Sequence, residues 1–416
     1  MNVAVADRAL AVRRNTRLLT VAHTAMQMTF PVMLVVAGPA AKEITGRAGA
    51  VGLLSAVYFV AVGIGAVSIG RWMDRVGRRP GLLLSAALGG VAGIAAAAAI
   101  AAASFWLLVL AAVPFGVASG GANLTRGAVA DMHEPERRGK AVGLLLAVGT
   151  IGAVGSPLVV AALQEAAETS GTWDPMVVPW IIVPLAASIA FVANAAVRPD
   201  PRDLAVDADT AAPASSRSGR ELRRIPAIRL AIGAAAVGQM AMVGVMTVTP
   251  TALHDHGHGS GAISLIISAH ITGMFALGPF IGALMDRFGR RAGLVGGFVL
   301  SIAGALVAAT EASAAAVGAG LLLIGVGWSA TYLGSTALIS DATEATERGA
   351  ALGSMDLVVS SMSAVAGLTG GLVLDVAGYR TLGIGVAVVV ALALVPVVGF
   401  RRQPVPIRGR PDGGGP

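Results

Sequence analysis

The sequence predicts an all-α membrane protein in which twelve membrane-spanning helices form two similar halves. The first observation is composition: hydrophobic residues make up 55% of the 416 positions and charged residues 13%, with a mean hydropathy of +0.77. A soluble chain carries about 25% charged residues. The second observation is that the apolar residues form runs of about 20, the length that a helix needs to cross a bilayer. The third is an internal repeat.

The spans are predicted to be helices because backbone polar groups in lipid must find partners within the protein, and the alternating pattern of barrel strands does not occur in the sequence. We place the spans at 18–40, 49–69, 81–102, 104–128, 141–163, 177–197, 228–250, 263–283, 292–310, 313–339, 351–374 and 381–400. Most connections are short, so consecutive spans are expected to be antiparallel neighbours.

The internal repeat consists of two short motifs that occur once in each half. GRWMDRVGRRPGL at 70–82 returns as GALMDRFGRRAGL at 282–294. DMHEPERRGKAVG at 131–143 returns as DATEATERGAALG at 341–353. A repeat of this length in an apolar chain predicts two structurally similar halves, a construction found in many secondary transporters.

Basic residues predict the orientation in the membrane. With the N-terminus inside, all 30 Lys and Arg residues except Lys42, Arg47 and Arg380 fall on the cytoplasmic side. The positive-inside rule therefore predicts a multi-pass plasma-membrane protein with both termini cytoplasmic and a first span that is retained rather than cleaved. The net charge of +7 is assigned to orientation, and no nucleic-acid partner is expected.

The predicted spans divide the chain into four parts. The N-terminal six-helix half is 1–197 and the C-terminal half is 228–400. Between them, 198–227 is rich in Pro, Asp, Ser and Arg and is predicted to be a flexible cytoplasmic linker. The Gly- and Pro-rich stretch 401–416 is predicted to be a flexible cytoplasmic tail.

The first motif resembles the signature loop of the major facilitator superfamily. Its residues here are Gly70, Asp74, Arg75, Gly77, Arg78 and Arg79, and the weaker copy has Gly282, Asp286, Arg287, Gly289, Arg290 and Arg291. The loop, the repeat and the twelve spans together carry the resemblance over the whole chain. It implies two six-helix halves related by pseudo-twofold symmetry, a transport function and a monomer.

The same resemblance implies a cytoplasmic latch in the outward-facing state. Asp74 and Arg78 would hold the N-terminal half against the eleventh span, and Asp286 and Arg290 would make the weaker symmetric contact. Physically, a carboxylate at a helix end accepts hydrogen bonds from exposed N–H groups at the start of a neighbouring helix. The alternative is that the arginines of these loops only set topology.

Two departures from the family concern coupling and direction. Proton-coupled exporters of the superfamily often carry an Arg in the middle of the fourth span, whereas here Arg126 lies near its cytoplasmic end. The fifth-span signature of antiporters appears only as the degenerate run GTIGAVGSP at 149–157. This run favours export.

Ionisable residues inside spans are costly and therefore functional candidates. Asp356, about six residues into span eleven, is the leading candidate for reversible protonation; the alternative is a structural carboxylate bonded to Ser354 or Ser360. His270 and His23 are further candidates for proton coupling. A neutral histidine bonded to a backbone carbonyl is the alternative for His270.

The outer loop HDHGHG at 254–259 has three His and one Asp, which suggest a divalent metal, although a mobile polar turn explains the pattern equally well. We assign no metal site and no cofactor. The sequence has no phosphate-binding loop with Lys-Ser/Thr and no hydrolase triad, so we predict that the protein is not an enzyme.

If spans one, four, seven and ten line a central cavity, as in the superfamily, their uncommon side chains are substrate candidates. These are Gln27, Met28, Asn123, Gln239, Met240, Met242, Trp328 and Tyr332. Such a set suits a modestly hydrophobic organic molecule, because a dicarboxylate or sugar phosphate would require paired basic residues. Each residue is also explained by packing.

The predicted function is secondary active transport of a small organic molecule by alternating access, with proton-coupled export as the preferred direction. Proton-coupled uptake of a nutrient is the first alternative. A membrane sensor or assembly protein that transports nothing is the second, and the lack of a sizeable soluble domain in the sequence argues against it.

Overall fold

The computed structural model describes residues 3–206, 219–311 and 313–400, and these ranges contain helices and no β-strand. The α-helices are Val3–Gln27, Thr29–Val32, Gly38–Thr45, Gly49–Val76, Arg78–Ala101, Phe105–Ala122, Thr125–Asp131, Pro135–Ser170, Ile182–Ala196, Gly219–Leu222, Pro226–Met246, Thr249–Asp255, Ser260–Phe275, Gly278–Phe288, Arg290–Ala308, Ala314–Asp341 and Ala345–Gly399. A π-helical turn lies at Met33–Ala37, and 3₁₀ turns lie at Val178–Ile181 and Pro201–Leu204.

These helices form 11 apolar stretches long enough to cross a membrane. The last helix, Ala345–Gly399, has 55 residues and is about 80 Å long at 1.5 Å per residue, more than twice the thickness of a bilayer core. Gly378 breaks it with a left-handed φ of 79°. The helix therefore contains two spans, which confirms the twelve predicted spans; we number them 1 to 12 in chain order.

Spans 1, 4, 7 and 8 are interrupted within the membrane. Span 4 breaks after Ala122, span 7 after Met246 and span 8 after Phe275. Span 8 resumes with Gly278-Pro279, where the proline has no N–H to offer to the preceding turn. Span 1 contains the π-helical turn. Interruptions of this kind place backbone and side chains toward an internal cavity rather than toward lipid.

The two halves pack against each other near the face that lies opposite the chain termini, which we call the outer face. Gly52 of span 2 touches Gly371 of span 11 so closely that a Cβ atom on Gly371 would lie 2.4 Å from the Cα atom of Gly52. Ser268 of span 8 donates a hydrogen bond to the carbonyl oxygen of Val154 of span 5 at 2.8 Å. Small residues allow such close approach between helices in lipid.

The described beginning of the predicted linker is held against the N-terminal half rather than free. The carboxylate of Asp200 accepts hydrogen bonds from the backbone N–H groups of Arg78 and Arg79, each at 2.9 Å. It therefore caps the start of span 3, where the helix dipole favours negative charge. Val206 donates to the carbonyl oxygen of Asp131 at 3.0 Å. Residues 207–218 of the linker and the tail 401–416 lie outside the described residues.

Candidate functional site

A cavity of about 290 Å³ lies between the two halves. Spans 1, 2, 4, 5, 7, 8, 10 and 11 contribute to its wall. The polar side chains of the wall are amides and hydroxyls, and none of the described lining residues carries a formal charge; they are Gln27, Thr29, Tyr58, Ser119, Asn123, Gln239, Ser360 and Ser363. The remaining wall is formed mainly by aromatic rings and by methionine and aliphatic side chains. Such a cavity accommodates an uncharged organic molecule.

Five of the residues predicted to face the cavity line it: Gln27, Asn123, Gln239, Met242 and Trp328. Three do not. The side chain of Met240 lines a separate apolar pocket among spans 7, 11 and 12, because it lies about 100° around the helix from Gln239. Met28 is half-buried and its carbonyl oxygen accepts a hydrogen bond from Ser156. Tyr332 lies behind Trp328.

On the side of the C-terminal half, a group of three packed rings borders the cavity, and two of them, Trp328 and Phe275, line it. Trp328 and Tyr332 of span 10 are stacked with centroids 5.3 Å apart and planes 19° apart. Their spacing of four residues puts both on one helix face. Phe275 of span 8 packs its edge against Trp328 at 5.8 Å. The result is an aromatic surface whose plane is set by neighbouring rings.

On the side of the N-terminal half, a second aromatic group faces the cavity. Phe30 of span 1 is stacked on Tyr58 of span 2 with centroids 5.3 Å apart, and Phe59 packs against both rings at 6.2 Å and 5.1 Å. Phe30, Tyr58, Phe59 and Phe275 were not among the residues predicted to face the cavity. A usable signal was present, because aromatic residues make up only 4% of the chain.

Gln239 fixes the indole of Trp328. The Nε1–H of Trp328 donates to Oε1 of Gln239 at 2.6 Å. The amide nitrogen of Gln239 donates to the hydroxyl of Ser363 on span 11 at 2.9 Å. Spans 7, 10 and 11 are therefore joined by one chain of buried hydrogen bonds, and the amide orientation that satisfies both partners is defined.

Asp356 joins the two halves on the side of the cavity that lies opposite the outer face. Its Oδ1 accepts a hydrogen bond from the hydroxyl of Tyr332 at 3.0 Å, and its Oδ2 lies 3.6 Å from a guanidinium nitrogen of Arg126 on span 4. The side chains of Asp356 and Arg126 are 43% and 48% exposed.

The partners of Asp356 differ from those that the sequence suggested. Ser354 donates instead to the carbonyl oxygen of Ala350, as hydroxyls on helices often do, and Ser360 lines the cavity. The pairing with Arg126 does not follow from either span alone, because it depends on how the halves meet. The sequence shows only a lone arginine and a lone aspartate, each near the end of an apolar span on the side opposite the outer face.

The two histidines predicted to be proton carriers are buried. His270 is completely buried, and its Nδ1 lies 2.6 Å from the carbonyl oxygen of Leu321, which is the alternative considered for it. His23 is 3% exposed, and both ring nitrogens lack a hydrogen-bond partner among the described residues. Gly149 leaves room for this imidazole, since a Cβ atom there would lie 2.7 Å from Cδ2 of His23.

Charged groups close the outer face between the halves. Lys42 at the end of span 1 forms an ion pair with Asp255 at the end of span 7. Asp375 at the outer end of span 11 accepts a hydrogen bond from the backbone N–H of Ala48 at 2.9 Å, and Arg47 lies 3.6 Å from it. Lys42 and Arg47 are two of the three basic residues that the orientation rule leaves outside. Asp375 occupies the N-terminus of span 2, where the helix dipole attracts a carboxylate.

The loops that carry the first repeated motif, in contrast, bind partners within their own halves. Arg78 contacts Asp74 at 2.6 Å and Asp131 at 3.0 Å. In the same way, Arg290 pairs with Asp286, and its Nε lies 3.5 Å from Asp341. Arg78 and Arg290, which correspond in the two copies of the first motif, thus each bind the aspartate that opens the second motif. In this conformation, the side chains of Asp74 and Arg78 make their described contacts within the N-terminal half and not with span 11.

The HDHGHG loop makes contacts other than metal ligation. Asp255 is engaged by Lys42, and His256 lies 3.5 Å from Glu311 of the neighbouring outer loop. Among the described residues, no group of three or more His, Cys, Asp or Glu side chains is arranged to hold a metal ion.

Comparison with known proteins extends over the whole chain. The family model described as Major Facilitator Superfamily matches residues 18–262 and 231–416. The riboflavin transporter RfnT of Brucella anthropi is 28% identical over 391 residues, which cover 94% of this chain and 96% of that protein. An uncharacterised MFS-type transporter of Bacillus subtilis, YddS, is 31% identical over 374 residues, which cover 87% of this chain and 85% of that protein.

Solved structures with the same fold include a bacterial homologue of the human lysosomal transporter Spinster, in an inward-facing and unoccupied conformation. It aligns with a TM-score of 0.71 and 17% identity, covering 95% of this chain and 99% of that chain. The human organic anion transporter MFSD10 aligns with a TM-score of 0.63 and 15% identity, covering 93% of this chain and 99% of that chain.

Proposed function

The chain belongs to the major facilitator superfamily and is a multi-pass membrane transporter, and we propose that it carries a flat, uncharged aromatic compound of the flavin type across the plasma membrane. The observation that carries this proposal is the pair of aromatic surfaces, one from each half, on the two sides of an uncharged cavity. A planar ring system gains contact with both surfaces at once.

The polar groups of the cavity support the same substrate class. Amides such as Gln27, Asn123 and Gln239 can both donate and accept hydrogen bonds, as the edge of a flavin ring requires. Serine hydroxyls at 119, 360 and 363 suit a hydroxylated side chain. Riboflavin is uncharged at neutral pH, which agrees with the lack of formal charge in the described wall. The similarity to the riboflavin transporter of Brucella anthropi supports this choice independently.

We further propose that the transporter alternates between a state that is closed at the outer face and a state that is closed at the cytoplasmic face. Here the outer face is closed by Lys42–Asp255 and by Asp375 at the start of span 2. In the opposite state, Asp74 and Arg78 would close the cytoplasmic face against span 11. Spans 2 and 11 would then meet through Asp375 at the outer face and through Asp74 at the cytoplasmic face. Each of these contacts would form in one state only. This is the differential interaction that a two-state transporter needs.

Coupling to protons is assigned to Asp356. Its carboxylate lies between a guanidinium of the other half and a tyrosine hydroxyl, so protonation removes the charge that attracts Arg126. We propose export in exchange for protons, as the degenerate fifth-span run favours. The alternative is uptake together with protons, and the pH dependence of binding separates the two: substrate binds more tightly to ionised Asp356 in exchange and to protonated Asp356 in cotransport.

The test of substrate class is counterflow of radiolabelled riboflavin in vesicles containing the purified protein, with no proton gradient. We expect exchange above that of empty vesicles, and we expect Trp328→Ala to lower riboflavin affinity by about tenfold, because one stacking surface is lost. Trp106→Ala is the matched control, since Trp106 is 71% exposed on the lipid side. Absence of riboflavin exchange by the wild-type protein would refute the substrate assignment.

A further inference from the structure

We propose that the hydroxyl of Tyr332 transmits substrate binding to the ion pair between Asp356 and Arg126. This inference rests on the proposed function, because it takes the cavity as the substrate site and Asp356 as the proton carrier. It adds a positioning residue that bonds the proposed proton carrier directly but reaches the substrate only through Trp328. Tyr332 lies outside the cavity wall and between the two sites.

The contacts form an unbroken series from the cavity to the ion pair. Trp328 is part of the cavity wall, and the ring of Tyr332 is stacked on it at 5.3 Å. The hydroxyl of the same tyrosine donates to Oδ1 of Asp356 at 3.0 Å, while Oδ2 lies 3.6 Å from Arg126. One end of Tyr332 therefore senses the position of the substrate-binding ring, and the other end stabilises the ionised carboxylate.

The groups around Asp356 and Trp328 determine how the hydroxyl of Tyr332 can act. Among the described residues, the titratable or charged groups that contact Asp356 are Tyr332 from span 10 and Arg126 from span 4. Arg126 also interacts with the hydroxyl of Tyr332 and with His23 of span 1. Trp328 is itself held by Gln239, so its ring has little freedom when both hydrogen bonds are made. A substrate stacked on Trp328 further restricts the ring pair. The hydroxyl is then kept on the carboxylate, to which it donates a stronger hydrogen bond than it would to a neutral acid.

The proton step balances without any other reactant. A proton from cytoplasmic water joins a carboxylate oxygen of Asp356, the acid becomes neutral, and Arg126 keeps its charge but loses its counter-ion. The tyrosine hydroxyl then donates to a neutral group, which is a weaker interaction. The ring pair is held less firmly, and a stacked substrate is bound less tightly. Substrate and proton therefore oppose each other's binding by the same factor.

The experiment measures riboflavin affinity in detergent solution from pH 8 down to about pH 3, through the range in which an aspartate carboxylate becomes protonated, for the wild type, Tyr332→Phe and Asp356→Asn. We expect the wild-type affinity to fall by about tenfold toward low pH, within the range of ordinary coupling energies. Tyr332→Phe keeps the stacked ring, so its affinity at pH 8 should stay within about threefold of the wild type, but its pH dependence should be lost. Asp356→Asn should also be insensitive to pH.

Tyr379→Phe is the matched control, because it removes another buried tyrosine hydroxyl, one that bonds Thr249 at 2.8 Å away from the cavity. It should retain the pH dependence of the wild type. A Tyr332→Phe variant that also retains it would overturn the inference and leave the role of Asp356 intact. A wild type whose affinity does not vary with pH would overturn both the inference and the proposed coupling.

Discussion

Arg126 of the N-terminal half and Asp356 of the C-terminal half form an ion pair, 3.6 Å apart, on the side of the central cavity that lies opposite the outer face. The pair connects halves that are otherwise joined near the outer face, at contacts such as that between Gly52 and Gly371. Because both side chains are nearly half exposed, water and protons reach the pair in this conformation. An acid in this position can change the attraction between the halves by gaining or losing a proton.

Replacing Asp356 should abolish the coupling of riboflavin transport to the pH gradient while leaving riboflavin exchange intact. Asp356→Asn keeps the size of the side chain and its ability to accept from Tyr332 but cannot titrate. We expect riboflavin counterflow to continue while accumulation driven by a pH gradient falls to the level of empty vesicles. Asp174→Asn is a suitable control, because Asp174 lies on an exposed outer turn and bonds the N–H of Met176 within its own half. Gradient-driven accumulation by Asp356→Asn at the wild-type rate would disprove the coupling role.

Removing the charge at the outer face should shift the protein toward the outward-open state. Asp375→Asn weakens the interaction with the start of span 2 and with Arg47, each worth about 1 kcal/mol in exposed positions. A cysteine placed at Ser360 in the cavity of this Cys-free chain reports the side from which a membrane-impermeant thiol reagent enters. We expect reaction from the outer side to increase about fivefold to tenfold.

The cytoplasmic latch should respond in the opposite direction. Asp74→Asn removes the carboxylate proposed to close the inner face, so the same cysteine at position 360 should become less accessible from outside and more accessible from the cytoplasm. The double variant Asp74→Asn with Asp375→Asn should return toward the wild-type ratio, because each substitution destabilises a different state. Equal accessibility in Asp74→Asn and the wild type would show that this loop serves only as a topology determinant.

The glycine contact between spans 2 and 11 should tolerate no side chain in this conformation. A Cβ atom at Gly52 would lie 2.7 Å from the carbonyl oxygen of Leu368. Gly52→Leu should therefore force spans 2 and 11 apart at the outer face and reduce labelling of the cysteine at position 360 from the cytoplasmic side. Gly63→Leu is a control on the same helix, because nothing lies within 4 Å of a Cβ atom there. Identical labelling of the two variants would contradict the packing described for the outer face.

The cap on span 3 should contribute to stability. Asp200→Ala leaves the backbone N–H groups of Arg78 and Arg79 without their carboxylate partner, a loss of about 1 kcal/mol. We expect the midpoint of thermal unfolding in detergent to fall by about 2 °C. Asp203→Ala changes a nearby exposed acid in the same segment and should leave the midpoint within error of the wild type.

The positions of the spans could be predicted from the sequence because the length of an apolar run is a property of consecutive residues. Span 3 was expected at 81–102 and is found at Arg78–Ala101. The ends were less accurate where a helix continues into water: span 2 was expected to end at 69 but runs to Val76, and Gly77 with a φ of 107° ends it. Residues beyond the apolar run carry no membrane signal, so only the glycine marks the true end.

The site was partly predictable for a similar reason. Gln239 and Trp328 stand out because amides and indoles are rare within apolar spans, and both line the cavity. The pair of Arg126 and Asp356 could not be derived in this way, because their contact depends on how the two halves tilt against each other. The role of Asp375 at the start of span 2 is likewise a property of the assembled halves, and a single span contains no trace of it.

We propose that the protein moves an aromatic solute by exchanging it for protons at Asp356. The most direct measurement is riboflavin accumulation in inverted membrane vesicles, whose exposed face is the cytoplasmic one, after the lumen is made acidic. We expect accumulation that collapses when the pH gradient is dissipated and that is absent in Asp356→Asn. Equal riboflavin content in vesicles with and without the protein, under the same gradient, would contradict it.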